Sequence, residues 1–486
     1  MDWHAFEEFR TFSLREFGLD PVGYLGLPGL GWDGLLLLMK KRGLPPLDTL
    51  QDPGMYRFFE KAIRGGNSFV GMRHNVANHP DVEGYDSTQK IRQDIDLDAN
   101  NLYGHSMVQK LPHSNFEWVH DPETLQWLAS RSTQFWEEFE TGATLEVDLH
   151  YPKELHDLHN DFPLAPEKMK VNESQVSNYC TSWLSDKGKK FTSSEKLVAH
   201  LGDRHKYIIH AKTLALYQKL GMKVTKIHRA VTYHQCAWMA PWIEGNTARR
   251  ALAQTTFEQD LFKLANNACF GKTMENVRGR MDVRLITADD NDHKAYTKLV
   301  AKPTYCHDWT IGENDNSQLL GVQMLKRVVT LDKPIYAGAT ILDYSKDHMY
   351  HCHYNIFQPI FGAENLRVGG TDTDSIMYTI TCDNLDERIW KNRQHFDLSN
   401  YPKDHPLFCE DNKKQMGKFK NELAKTGVIS ERINLRSKLY AFKLAQSNES
   451  ALQCKGVKRT VVEKTLKLDH YREVLQTQTS ISREQV

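Results

Sequence analysis

Hydrophobic and polar positions follow a strand pattern in residues 367–380, in the last third of the chain. Apolar side chains recur at every second position from residue 376 to 380, after a glycine pair and an Asp-Thr-Asp corner. We predict two short strands whose tight corner projects the carboxylates of Asp372 and Asp374. Two carboxylates about 4 Å apart repel by roughly 4 kcal/mol at an effective dielectric of about 20, so the pair predicts a neutralising divalent metal ion. A polar hairpin turn is the alternative, because Asp and Ser are common turn formers.

A second alternating stretch, residues 91–104, lies far upstream. One face is apolar and the other carries carboxylates, which predicts a strand; the two faces are Ile95, Leu97 and Ala99, and Asp94, Asp96 and Asp98. The alternation ends after Asp98, where residues 100–104 begin a turn or a helix. Asp98 therefore stands at a strand end and is a candidate metal ligand, with a solvated acidic strand face as the alternative.

Helical spacing predicts one long helix over residues 246–276. At about 100° per residue, Lys263 and Asn267 share one face and Phe270 follows one turn later. Arg249 joins this face if the helix is unbroken. Such a stripe suits a nucleoside triphosphate, whereas an amphipathic surface helix is the alternative. The predicted core face is Leu252, Phe257, Leu261 and Leu264. Further helices are predicted at residues 1–19, 34–40, 52–63 and 336–354.

The helix predicted at residues 52–63 is followed by Arg64, Gly65 and Gly66. A basic residue beside two glycines lets backbone N–H groups approach a phosphate closely. These three residues are therefore candidates for binding DNA. The alternative is a helix stop formed by the glycines.

Composition adds limits to this picture. The 486 residues are 40% hydrophobic and 26% charged, with 62 Lys plus Arg against 62 Asp plus Glu. This is an ordinary soluble globular composition of two to four structural units, without a global positive field, so a nucleic-acid surface must be local. A basic track follows the acidic corner, and it includes Lys438 and Lys455.

The eight cysteines contain no Cys-x-x-Cys pair, so neither zinc ligation nor a disulfide framework is predicted. Reduced thiols in an intracellular protein fit best, without indicating nucleus, organelle or cytoplasm. The most apolar early run, residues 24–39, is interrupted by Pro28, Asp33 and four glycines, so no membrane span is expected. No basic segment typical of a secretory signal precedes it.

Four segments occur in the order of family B DNA polymerase motifs. Residues 98–103 resemble motif A, residues 263–271 motif B, residues 372–375 motif C, and residues 438–440 the Lys-x-Tyr motif. The chain most closely resembles the protein-primed branch of viruses, organelles and transposons, over roughly residues 20–470. The Arg64-Gly65-Gly66 segment matches the YxGG-type motif of that branch, with Ile63 in place of Tyr.

The resemblance implies an α+β, right-hand architecture of palm, fingers and thumb with palm insertions. The implied divisions are an N-terminal remnant and linker (1–75), a first palm part (76–240) with an insertion (105–230), fingers (241–280), a second palm part (281–444) with an insertion (281–335) and the catalytic hairpin, and a truncated thumb (445–486). Family members carry a 3′–5′ exonuclease before the palm. No Asp-x-Glu pair precedes residue 20 here, so no proofreading is expected.

The resemblance also implies roles. Asp98 and Asp374 hold two Mg²⁺ or Mn²⁺ ions with Asp372 in support, for phosphoryl transfer to a primer 3′-hydroxyl. The implied nucleotide-binding residues are Tyr103 under the sugar, Lys263, Asn267, Phe270, Arg249 and Arg250. The implied DNA-binding residues are Arg64, Gly65, Gly66, Gly271, Ser375, Lys438, Tyr440 and Lys455. The implied partners are primer-template DNA, dNTPs and a priming terminal protein.

Departures from the motifs leave an alternative. Gly370 replaces the motif C tyrosine and Phe270 the motif B tyrosine, while Ala268 and Gly104 replace a serine and a proline. A catalytically silent, DNA-binding remnant of such a polymerase is therefore the second hypothesis. A reverse transcriptase or RNA polymerase is disfavoured, because Thr373 separates the two acids and those enzymes usually carry adjacent aspartates.

Overall fold

A computed structural model describes residues 3–287, 290–311, 319–446 and 450–482. Parts of the predicted insertion 281–335 and of the predicted thumb 445–486 lie outside these ranges. The helices are α1 (Trp3–Phe17), α2 (Leu27–Lys41), α3 (Pro53–Ala62), α4 (Leu102–Met107), α5 (Pro122–Ala129), α6 (Thr133–Glu138), α7 (His156–His159), α8 (Asn178–Asp186), α9 (Ala211–Lys219), α10 (Ala240–Leu252), α11 (Thr256–Thr273), α12 (Asp290–Val300), α13 (Ile335–Cys352), α14 (Gln358–Phe361), α15 (Leu385–Lys391), α16 (Arg459–Thr465) and α17 (Leu468–Thr477).

The strands complete an α+β fold, as expected. They are β1 (Ser68–Val70), β2 (His74–Val76), β3 (Arg92–Ala99), β4 (Leu111–Val119), β5 (Thr141–His150), β6 (Glu167–Lys170), β7 (Glu195–Val198), β8 (Arg204–His210), β9 (Lys223–Cys236), β10 (Asp282–Thr287), β11 (Tyr305–Thr310), β12 (Leu319–Met324), β13 (Leu366–Asp372), β14 (Ser375–Thr381), β15 (Phe396–Asp397), β16 (Phe419–Asn421), β17 (Ile429–Arg436), β18 (Leu439–Leu444) and β19 (Ser450–Cys454).

The largest sheet in the described residues has six strands in the order β1-β13-β14-β3-β16-β15. Its neighbours are antiparallel except β15 and β16. The predicted strand at residues 91–99 and the predicted hairpin are both confirmed, as β3 and as β13 with β14. Period-two patterning determines these strands, because Ile95, Leu97 and Ala99 are all buried in one core.

Helix α13 connects two large hydrophobic clusters. Its first half, with Ile335 and Tyr336, packs with α2, α3, α10 and α11. Its last turns, with Met349 and Tyr350, pack with the six-stranded sheet. Most of its side chains are buried, which explains why the sequence pattern predicts an apolar helix here. This helix fixes the sheet relative to the helical layer.

Four smaller sheets surround this centre in the described part of the chain. Their strand orders are β4-β9-β5-β8, β19-β18-β17-β2, β10-β12-β11 and β6-β7. The second of these is antiparallel and brings β2, which precedes β3, beside β17 near the end of the chain. No helix in the described ranges is long and apolar enough to cross a membrane.

Two expectations about helices are wrong. Helix α2 begins at Leu27 rather than at residue 34, because Pro28 fits the first turn of a helix, where its missing N–H is not needed. The helix predicted over residues 246–276 is divided into α10 and α11. Thr255 caps the second helix by accepting a hydrogen bond from the Glu258 N–H at 3.2 Å.

The core face predicted for the single long helix is also wrong in part. Leu252, Phe257 and Leu264 are 80%, 48% and 53% exposed, and Leu261 alone of the four is buried. Instead, Ala265 and Cys269 lie on the face of α11 that packs against α2. They meet α2 at Gly31, where the backbones of the two helices approach closely. Because the chain turns between α10 and α11, the phase of α11 relative to the core differs from that of one continuous helix.

Candidate active site

The tip of the β13–β14 hairpin meets the end of β3. Asp372 pairs with Ser375 across the hairpin, and Ser375 pairs with Asp98 across the next ladder. The Ala99 N–H donates to the Asp374 carbonyl at 2.8 Å, which fixes the turn against the strand. Two acids from distant parts of the chain, Asp98 and Asp374, therefore stand beside one another.

The carboxylates of this cluster repel each other in a partly dehydrated setting. Burial and the charge of Asp374 raise the pKa of Asp98 to about 7. Burial and the charge of Glu422 raise the pKa of Asp96 to about 6. Burial, with the charge of Asp372, also raises the pKa of Asp374. Lys420 lies 3.9 Å from Asp98 and also pairs with Glu422, so it compensates the negative charge of the cluster only in part.

Asp372 differs from the other two acids because its carboxylate already has partners. The Ser68 hydroxyl donates to it at 3.0 Å, and the Lys438 ammonium lies 3.1 Å from its other oxygen. Among the described residues, no group of three or more His, Cys, Asp or Glu side chains is arranged to hold a metal ion. The candidate cation ligands are thus the pair Asp98 and Asp374, whose oxygen donors suit a hard divalent ion.

An aromatic stack adjoins the acidic pair. The rings of Tyr103 and Phe270 lie 4.4 Å apart at 20°, and both are half-buried. Burial and the charge of Asp374 raise the pKa of Tyr103. The stack joins α4, directly after β3, to the last turns of α11. It brings together two residues that the sequence predicted for one nucleotide site.

The other predicted nucleotide-binding residues are divided between two helices. Lys263 and Asn267 are exposed one turn apart on α11, and Gly271, predicted to bind DNA, is exposed one turn further along the same helix. Arg249 lies on α10, where its guanidinium is 3.5 Å from Glu16, and Arg250 nearby is half-buried. Arg249 is expected on the face of Lys263 only if the helix is unbroken. Because α10 and α11 are separate helices, this condition is not met.

The Lys-x-Tyr segment reaches the same end of the sheet. Lys438 stands at the β17–β18 turn with a φ of 59° and pairs with Asp372. Burial and the charge of Asp96 raise the pKa of Tyr440 to about 12. A cavity of 80 Å³ lies between these residues and Gly370. Lys455 is exposed, and its N–H donates to the Lys438 carbonyl at 3.1 Å.

The expected contact of Arg64 with a DNA phosphate is wrong. The side chain is only 4% exposed, and its guanidinium lies over the Tyr207 ring at 3.9 Å and 3.4 Å from Asp343. A buried guanidinium requires such partners, so it is unavailable to a phosphate. Gly65 is exposed, whereas Gly66 packs against Thr373.

A buried ion pair below the site was not recognised in the sequence. Arg432 and Asp94 are both 0% exposed, and their Nε and Oδ2 atoms lie 2.8 Å apart. The Asn75 amide and the Thr379 hydroxyl also donate to Asp94. A Cβ atom at Gly369 would lie 2.5 Å from the Arg432 guanidinium, which explains this glycine. The pair links the six-stranded sheet to β17.

Comparison with known proteins supports the fold. Neither a protein-family model nor a curated protein matches the sequence. Solved structures of Phi29 DNA polymerase do match. Its complex with primer-template DNA has a TM-score of 0.52 at 12% identity and covers 95% of this chain and 65% of that chain. Its ternary complex with primer-template DNA and incoming nucleotide substrates has a TM-score of 0.52 at 13% identity and covers 94% and 64%.

A third match is Phi29 DNA polymerase complexed with single-stranded DNA, with a TM-score of 0.51 at 12% identity, covering 95% of this chain and 64% of that chain. This chain therefore spans less than two thirds of the length of the matched chains. At such identities the similarity concerns the fold, not the chemistry. The protein has the fold of a DNA polymerase.

Proposed function

We propose that the protein is a template-directed DNA polymerase that adds deoxynucleotides to a primer 3′-hydroxyl. The observation that carries the proposal is the meeting of Asp98 and Asp374 at one end of a shared sheet. The Tyr103–Phe270 stack beside them supplies a surface for a nucleotide. Incorporation of a labelled dNTP on a primed template in the presence of Mg²⁺ tests the proposal.

The pair Asp98 and Asp374 suits divalent cations, Mg²⁺ or Mn²⁺. Hard cations prefer oxygen ligands, and their positive charge would neutralise the two carboxylates. Asp98 and Asp374 would hold them, and when bound such ions activate a hydroxyl and stabilise phosphate charge. Asp372 supports the site through Ser68 and Lys438, which hold its carboxylate at the hairpin tip. The protein thus fixes the positions of the carboxylates, and bound cations would neutralise their negative charge.

The remaining side chains bind the substrates in this proposal. Lys263 on α11, with Arg249 and Arg250 on α10, attracts the triphosphate, and Asn267 lies one turn from Lys263. The DNA strands are contacted, mainly at their phosphates and sugars, by Lys438, Tyr440, Lys455, Ser375 and Gly271. A priming terminal protein, proposed from the resemblance to the protein-primed branch, supplies the first hydroxyl.

Replacing Tyr103 with valine should admit ribonucleotides. The Tyr103 ring stacks on Phe270. In this proposal it lies beneath the sugar of a bound nucleotide, where a 2′-hydroxyl would collide with it. We expect the ratio of kcat/KM for a ribonucleotide to that for the matching deoxynucleotide to rise by about 10-fold or more, the scale of discrimination by shape in a pocket. Single-nucleotide incorporation kinetics measure this ratio.

The matched control is Tyr103→Phe, which keeps the ring and removes only the hydroxyl. Its ratio should stay near that of the unmodified protein. An unchanged ratio in Tyr103→Val would show that the ring does not exclude the 2′-hydroxyl.

A second candidate is a DNA-binding protein without catalysis. It is favoured by the pairing of Asp372 with Lys438 and by the lack, within the described ranges, of a three-carboxylate metal group. This candidate predicts salt-dependent binding of primer-template DNA without extension.

A further inference from the structure

Residues 64–67 meet the catalytic hairpin directly. We propose that Gly66 and Asn67 are positioning residues that hold Thr373, and through it Asp374, in the geometry required for nucleotide transfer. The proposal rests on the polymerase function proposed above, because it assigns the loop a part in that reaction. It assigns Gly66, the second glycine of the YxGG-like segment, a role in the conformation of the hairpin tip that carries Asp372 and Asp374.

Thr373, between the two acids, adopts an unfavourable backbone conformation. Its φ is 71°, in the left-handed region that β-branched residues rarely enter. Its N–H donates to the Asn67 carbonyl at 2.7 Å. A Cβ atom added at Gly66 would lie 2.5 Å from the Thr373 methyl group and 2.8 Å from its hydroxyl oxygen. The loop thus holds the backbone of Thr373 and leaves space for its side chain.

The loop is itself anchored in the protein interior. The Asn67 amide donates to the Tyr350 hydroxyl at 2.7 Å, and that hydroxyl donates to the Pro163 carbonyl at 2.8 Å. The buried Lys346 ammonium donates to the Arg64 carbonyl at 2.7 Å. Lys346 and Tyr350 both belong to α13, beneath the sheet. Moving the loop would break hydrogen bonds of three buried side chains, so the loop is a firm support.

The contact reaches the reacting groups through one peptide. Thr373 precedes Asp374, whose carbonyl accepts the Ala99 N–H next to Asp98. Displacement of Thr373 therefore changes the position of Asp374 relative to Asp98. A misplacement of about 1 Å at such a site costs about 100-fold in rate. The loop accordingly affects the chemical step more than the binding of DNA.

The test compares two glycines that differ in the space around them. Gly66→Ala should lower kcat for primer extension by about 100-fold, with the Kd for primer-template DNA within about twofold of the unmodified value. Gly23→Ala is the matched control, because Gly23 is exposed, lies outside the proposed site, and a Cβ atom there meets nothing within 4 Å. It should keep kcat. Adding Thr373→Gly to Gly66→Ala should restore most of the activity, since glycine removes the colliding atoms and adopts positive φ freely.

A second measurement does not depend on activity. Backbone hydrogen exchange of residues 371–375 should be at least about 10-fold faster in Gly66→Ala than in Gly23→Ala, because the hydrogen bond from Thr373 to Asn67 opens. If the unmodified protein fails to extend a primer, the polymerase function is wrong, and exchange alone decides whether the loop holds the tip. Equal exchange in the two variants, an unchanged kcat in Gly66→Ala, or a loss that Thr373→Gly does not restore would overturn the proposal.

Discussion

Asp98→Asn should lower the rate of primer extension by about 1000-fold. The substitution keeps the shape of the side chain and removes the charge that, with Asp374, would attract the cations. Charge stabilisation by bound metal is worth several kcal/mol, and about 4 kcal/mol corresponds to about 1000-fold in rate. The rate of a single turnover in Mg²⁺, with DNA pre-bound, measures the effect.

The fold should survive this substitution. Asp98 lies 3.9 Å from Lys420, and its charge is opposed by Asp374, so the neutral amide relieves repulsion in metal-free buffer. We therefore expect the melting temperature of Asp98→Asn to be no lower than that of the unmodified protein. The matched control is Asp404→Asn, an exposed acid outside the cluster, which should extend primers at the unmodified rate. An Asp98→Asn variant with near-normal turnover would show that this acid is not catalytic.

Arg432→Met should destabilise the protein by about 3–5 kcal/mol, the cost of leaving one partner of a buried ion pair uncompensated. The Asp94 carboxylate would keep its Asn75 and Thr379 donors but lose its counter-charge. The free energy of unfolding from urea titration measures the loss. Because the pair links β3 to β17, the loss should extend to both sheets.

Two further variants separate charge from packing. Replacing both partners, with Arg432→Met and Asp94→Leu, should recover much of the stability, since no buried charge remains. Arg459→Met, which removes an exposed pair with Glu463, should cost far less stability than Arg432→Met, because water screens an exposed pair. A loss from Arg432→Met as small as that from Arg459→Met would contradict the assigned role of the buried pair.

Local pattern was sufficient to predict the elements at the centre of the fold. Strand β3 and the β13–β14 hairpin have period-two patterns because alternate side chains of each strand pack into one hydrophobic core, and α13 has an apolar pattern because it is buried along its length. The break before α11 was missed because both sides favour helix and a single cap at Thr255 decides it. The exposure of Leu264 follows from the same break.

Partners distant in sequence could not be predicted from local pattern. Arg64 appeared to be a phosphate ligand because Asp343 and Tyr207, which hold it in the interior, come much later in the chain. Asp94 appeared to be one of three equivalent acids until Arg432 was placed beside it.

The central claim is that Asp98 and Asp374 form one catalytic site. The most direct measurement is single-nucleotide incorporation on four primed templates that differ in the first unpaired base, by the unmodified protein and by Asp374→Asn. We predict that the unmodified protein adds only the complementary deoxynucleotide in Mg²⁺ and none in EDTA, and that Asp374→Asn adds none. Equal incorporation by Asp374→Asn, or binding of the DNA without any incorporation by the unmodified protein, would contradict the account.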